Sequence, residues 1–327
     1  MNAASASCTE RINSRNPTLN QDDPRNDGRG WRLLPIPGTE GPLELGGDDV
    51  QAISRALLLL AVTAEKINFA TAADPPPIGS GAATLYRGPE AGYALEGFLT
   101  MQYAIMSAMD HVRSFVALIR TPTVRSTALA TVARGGLESL ARSWYLLSRE
   151  SNEDFVYRVL SLLRSDLKYA ELLGEDLRTR NGDPVDPVER RSFYADELKR
   201  LNLPAAAKNE LGLMVAAMLD AELDQRDGRM RYSALSSIAH AHRLGVNNFV
   251  ATGTNGDVAG LAAPRPVVMD VVGQLTAATY GTMRTFVAFY GDQVRHIELL
   301  ESAFQRALRA LLPVAESVWP SAGSPPV

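Results

Sequence analysis

Residues 89–120 read PEAGYALEGFLTMQYAIMSAMDHVRSFVALIR, and this stretch decides the fold. At about 100° per residue its apolar side chains, among them Leu95, Phe98, Leu99, Ile105, Met106, Met109, Val112 and Phe115, fall on nearly every side of a helix. A helix apolar all round is normally enclosed, so this one is expected to be central, with other helices around it. Pro89 suits its first turn, where no backbone donor is needed. Glu96, Tyr103 and Asp110 lie seven residues apart along one line of it. A carboxylate enclosed there needs a partner, because burial without one is costly or neutralises it. His111 follows a further step round.

Working outward, one helical signal follows another. Towards the N-terminus, Asp48 or Asp49 caps a helix reaching about Ala73, where Asp74-Pro75-Pro76-Pro77 stops it and a Gly-rich linker follows. Towards the C-terminus, Thr121-Pro122 opens a helix ending near Glu150, and Asn152 caps another reaching about Arg178. Asp186-Pro187-Val188-Glu189 resembles a capping box before a short charged helix to Arg200. Pro204 opens a helix to Leu223, and Gly228 precedes one from Arg229 to about Arg243. The stretch Gly245–Pro266 has no clear period. Two closing helices run from about Val267 to Tyr290 and from Asp292 to Ala315.

Asn181-Gly182 and Asn255-Gly256 read as loops beside helices, since neither stands between two alternating runs. The expected fold is therefore all-α, a bundle of about eight or nine helices in one domain over residues 46–316. Residues 1–45 read as a disordered polar tail in which Trp31, Leu33, Leu34 and Ile36 form a short apolar patch. Residues 317–327 read as frayed.

Bulk properties narrow the function. The 327 residues are 46% hydrophobic and 21% charged, with a formal net charge of −4, which argues against a dedicated nucleic-acid binder without excluding a local basic patch. The one cysteine, Cys8, permits neither an intramolecular disulfide nor a thiolate zinc cluster. The N-terminus lacks an apolar signal region. The runs Ala56–Ala64 and Gly97–Met109 fall short of the roughly 20 residues that span a bilayer. A cytoplasmic protein with no membrane partner is expected.

Two helices carry candidate chemistry. On the first, Arg134, Glu138 and Arg142 stand at i, i+4 and i+8, which reads as a solvent-side ladder. Gly135-Gly136 interrupts that helix at about 1 kcal/mol per glycine against alanine, so close packing or a ligand beside Arg134 must compensate. On the second, Tyr232, Ser236 and His240 stack along one side, while Arg231, Leu235, Ile238 and His242 share the apolar side. On a regular helix His240 and His242 stand about 200° apart and cannot bind one metal. No Glu-x-x-His, His-Glu-x-x-His, P-loop or Gly-x-Ser-x-Gly motif occurs, and no motif names a cofactor or a metal site.

The segment Arg134-Gly135-Gly136-Leu137-Glu138 with Trp144, together with Tyr232, Ser236 and His240, resembles a group of bacterial all-helical proteins of unknown function. These share an Arg-x-x-x-Glu helix and a Tyr-x-x-x-Ser-x-x-x-His helix. Some are similar to HEPN-type helical domains, many of which are RNases of defence systems. That resemblance implies a helical fold and Arg231, Tyr232 and His240 as nucleic-acid-directed residues. HEPN RNases have four to six residues between their Arg and His, whereas eight lie between Arg231 and His240 here.

Three readings follow. The first is a binder of, or enzyme acting on, a small polar or anionic ligand, with His240, Glu138 and Asp110 catalytic and Arg134, Tyr232, Ser236 and Arg231 contacting ligand. The second is a HEPN-like defence protein. The third is a non-catalytic protein that forms a homodimer.

Overall fold

The computed structural model describes residues 31–33, 44–73, 75–121, 126–174, 176–179, 181–202, 210–253, 257–291 and 293–319. Most of the expected polar tail and the last eight residues lie outside the described residues, as does Cys8. Among the described residues the fold is all-α, 78% helical with eleven helices. In chain order these are α1 (Gly47–Ala73), α2 (Gly81–Tyr86), α3 (Ala91–Ile119), α4 (Thr127–Leu147), α5 (Asn152–Leu173), α6 (Pro187–Leu201), α7 (Leu211–Glu222), α8 (Gly228–Ala239), α9 (Arg243–Asn247), α10 (Arg265–Tyr290) and α11 (Gln293–Val318). The two beyond the expected number are the short ones. α2 lies in the supposed Gly-rich linker, started by Ser80, whose hydroxyl accepts from the Ala83 N–H at 3.0 Å. α9 is split off the end of the α8 signal.

Short strands also occur where none was expected. β1 (Trp31–Leu33), β4 (Val250–Gly253) and β5 (Val258–Leu261) form an antiparallel sheet in the order β1-β4-β5, so part of the tail is pinned to the long loop before α10. β2 (Leu177–Arg178) and β3 (Pro184–Val185) form a second pair. Asn181-Gly182 thus lies between paired strands, with Gly182 at φ 90°, a left-handed conformation that suits glycine. Asn255-Gly256 falls in the interval between β4 and β5, at residues outside those described. The strands are too short to show alternation, which is why sequence reading missed them.

Antiparallel helix pairs build the core. α3 lies along α4, with Ser143 Oγ donating to the Met101 carbonyl at 2.8 Å and Ser107 bonded to Ser139 at 3.1 Å. It also lies along α1, where Arg113 pairs with Glu65, Arg120 Nε donates to Ser54 Oγ at 3.1 Å, and Asn68 Nδ2 reaches the Gln102 carbonyl at 3.3 Å. α10 packs on α4, α11, α1 and α7. Its N-terminal Arg265, 7% exposed, forks onto Asp49 at 2.8 and 2.9 Å and reaches Ser317 at 2.6 Å. This joins the starts of α1 and α10 to the end of α11. Asp49, one of the two residues expected to cap α1, lies inside its first turn and is half of a buried ion pair. α1 is long and apolar enough to cross a membrane by length and composition, but here Ile53, Leu57, Leu60 and Ile67 are core residues.

One expectation fails at α3. Glu96 and Asp110 are exposed, and so are Leu95, Leu99, Tyr103 and Met106 on the same stretch. α3 is covered by α1, α4 and α5 and leaves the Glu96–Asp110 line to solvent. The all-round apolar pattern overstated its enclosure because part of the apolar surface stays in water.

Candidate functional site

The α7–α8 hairpin packs against α4, and this brings the two candidate sequence segments together. Within the hairpin, Gly212 on α7 leaves room for Tyr232 of α8: a Cβ there would lie 2.9 Å from the Tyr232 ring. α4 and α8 run antiparallel, so Tyr232 meets Glu138 and His240 meets Arg134. Glu138 Oε1 accepts from Arg134 Nε at 2.7 Å and from Tyr232 Oη at 2.7 Å. Arg134 Nη2 donates to Tyr232 Oη at 3.3 Å, and Arg134 Nη1 lies 3.0 Å from His240 Nε2. The guanidinium also sits 5.5 Å from the Tyr232 ring centroid.

These contacts set the electrostatics. Desolvation by itself would lower the Arg134 pKa, but the Tyr232 hydrogen bond and the Glu138 charge outweigh it and raise it above the usual arginine value. The Tyr232 phenol is raised by burial and by its hydrogen bond to Glu138. Arg134 therefore stays charged and Tyr232 stays a neutral donor. Arg134 and Glu138 are about one-fifth exposed, so this pair lies under α8 and is no solvent-side ladder. Arg142 departs from the row as well, forking onto Asp166 of α5 at 2.8 and 2.9 Å.

The end of α8 shapes the rest. The His240 N–H bonds the Ser236 carbonyl, Ala241 bonds Ile238, and His242 bonds Ser237. This is a Schellman arrangement with Ala241 at the left-handed position, φ 54°. It ends the helix one residue before His240 and turns the chain, so that the His240 and His242 rings lie 6.1 Å apart between centroids. His242, expected on the core side, is exposed like His240. A regular helix would have separated them; Ala241 is the residue that sequence reading did not weigh. Gly245 then lets α9 close onto α8, since a Cβ there would lie 2.6 Å from Ser237 Oγ.

The other candidates fall elsewhere. Ser236 is half-buried on α8, one turn before His240. Arg231 is taken up by Asp227 at 2.8 Å, by Gln225 at 2.8 Å and by Asp270, an ion-pair group that ties α8 to α10. Arg231 was expected to contact ligand; its three guanidinium nitrogens here hold acceptors of the protein itself. Asp110 is exposed on α3, where its charge acts on Arg113. The glycine pair is explained by packing. A Cβ on Gly135 would lie 2.8 Å from His111 Cε1, and one on Gly136 would lie 3.4 Å from His111 Cβ. His111 therefore occupies the space beside the glycine pair.

No protein family matches the chain, and comparisons with curated proteins and with solved structures give no match.

Proposed function

We propose that Arg134, Glu138, Tyr232 and His240 form a site for a small polar or anionic ligand, with His240 as its proton-transfer group and His242 beside it. One observation carries the reading. Glu138 and Tyr232 hold the Arg134 guanidinium in a fixed orientation, and its remaining edge is turned to an exposed imidazole. A surface ion pair that only decorates a helix does not recruit a tyrosine and a histidine from another helix. A fixed guanidinium binds carboxylate or phosphate in forked geometry, and an adjacent imidazole can take or give a proton.

A thermal-shift screen of small carboxylates, inorganic phosphate and mononucleotides tests it, run on the wild type and on His240→Ala. A compound that stabilises only the wild type supports the site. Equal shifts in both proteins, or none in either, count against it.

The same geometry favours a second reading, a nucleic-acid-directed protein of HEPN-like type with Arg134 in place of Arg231. Arg134 would face a phosphate, with His240 and His242 on either side of it. Arg229 near the start of α8 and Arg243 at the start of α9 are exposed and would contact the flanking backbone. Salt-dependent binding of single-stranded RNA, weakened by Arg134→Ala, would distinguish this reading from the first.

A further inference from the structure

Glu222, the last residue of α7, inserts its carboxyl between α4 and α10. Trp144 Nε1 on α4 donates to its Oε1 at 3.2 Å. Its Oε2 occupies the hollow at Gly281 in the middle of α10, where any Cβ would overlap it. A mid-helix glycine weakens its helix relative to alanine, and here it makes a seat for one carboxyl group. Arg284, also on α10, supplies the charge that acts on Glu222. Burial outweighs the Trp144 hydrogen bond and the Arg284 charge, and holds the carboxyl above the usual carboxylate range.

The seat suits an uncharged carboxyl better than an ion, because a single indole N–H and the backbone beside Gly281 take the place of part of the water shell an ionised group would have. α7 and α8 form one hairpin, and that hairpin carries Tyr232 and His240 to Arg134 and Glu138. We infer that Glu222 is a proton-dependent latch, which clamps the hairpin onto α4 and α10 when protonated and loosens it when ionised, thereby controlling the placement of Tyr232 and His240. Control of a ligand site rests on the functional reading above; the movement of the hairpin does not.

The sign follows from the direction of the shift. A carboxyl whose pKa is raised on docking contributes fully below its ordinary value, and that contribution is lost as pH rises through the raised value.

Amide hydrogen exchange on the full chain tests the latch, with protection factors corrected for intrinsic exchange and measured from about pH 5 to about pH 8. In the wild type, protection of α7 and α8 should fall with pH by roughly threefold or more relative to α3. Glu222→Gln should keep high protection throughout. Gly281→Ala, which displaces the carboxyl, should show low protection at every pH. The same pH profile in wild type and Glu222→Gln, or a pH step retained in Gly281→Ala, overturns the latch. A step present in the wild type and absent from Glu222→Gln upholds it even where inorganic phosphate gives no thermal shift, and in that case only the ligand-site reading fails.

Discussion

Arg134 Nη1 lies 3.0 Å from His240 Nε2, and a guanidinium can only donate, so that nitrogen accepts and the ring proton sits on Nδ1. Imidazole nitrogen shifts by NMR should therefore show neutral His240 as the Nδ1–H tautomer. In Arg134→Met the population should move towards Nε2–H. A wild-type ring already protonated at Nε2 would mean that the Arg134 contact is not made in solution.

Glu138 is the hub, accepting from Arg134 and from Tyr232 through the same oxygen. Glu138→Ala leaves both donors short of an acceptor and should cost about 2–3 kcal/mol in chemical denaturation. Tyr232→Phe should cost about 1 kcal/mol. Their effects should couple in a double-mutant cycle, as residues of one network do. Additive losses would place them in separate surroundings.

Gly135 is required by His111. Gly135→Ala should destabilise by about 1–3 kcal/mol through overpacking, despite the better helix propensity of alanine. Adding His111→Ala should recover part of that loss. A Gly135→Ala protein more stable than the wild type would show that the His111 ring does not rest there.

Much of the fold was legible because it rests on residues that act locally. Asp186 caps α6 as read, its side chain accepting from the N–H groups of Val188 and Glu189 at 2.8 and 3.4 Å. The row of Tyr232, Ser236 and His240 was legible as a helix face, and so was the pairing of Arg134 with Glu138. What could not be read was long-range. Nothing local to Glu138 says that Tyr232, 94 residues on, will bond it. Nothing in Arg231 says that Asp270 will claim it. The seat of Glu222 at Gly281 joins two helices through a glycine that looks arbitrary in sequence. The break at Ala241 was missed because alanine favours helix, and a left-handed alanine carries no signature.

Ala241 holds a left-handed conformation that costs an alanine about 1–2 kcal/mol and glycine almost nothing. Ala241→Gly should therefore stabilise the protein by about 0.5–1 kcal/mol, after the greater unfolded-state freedom of glycine is offset. Thermal denaturation checks it. A loss of stability would contradict the turn that brings His240 and His242 together.

The central claim is that the Arg134–His240 cluster binds a ligand. Its most direct test follows the His240 and His242 ring signals of the labelled protein during titration with inorganic phosphate and then with mononucleotides. Saturable shifts confined to these rings and Tyr232, and abolished in Arg134→Met, are the predicted result. Signals that do not move with any of these anions, or that move equally in Arg134→Met, would contradict it.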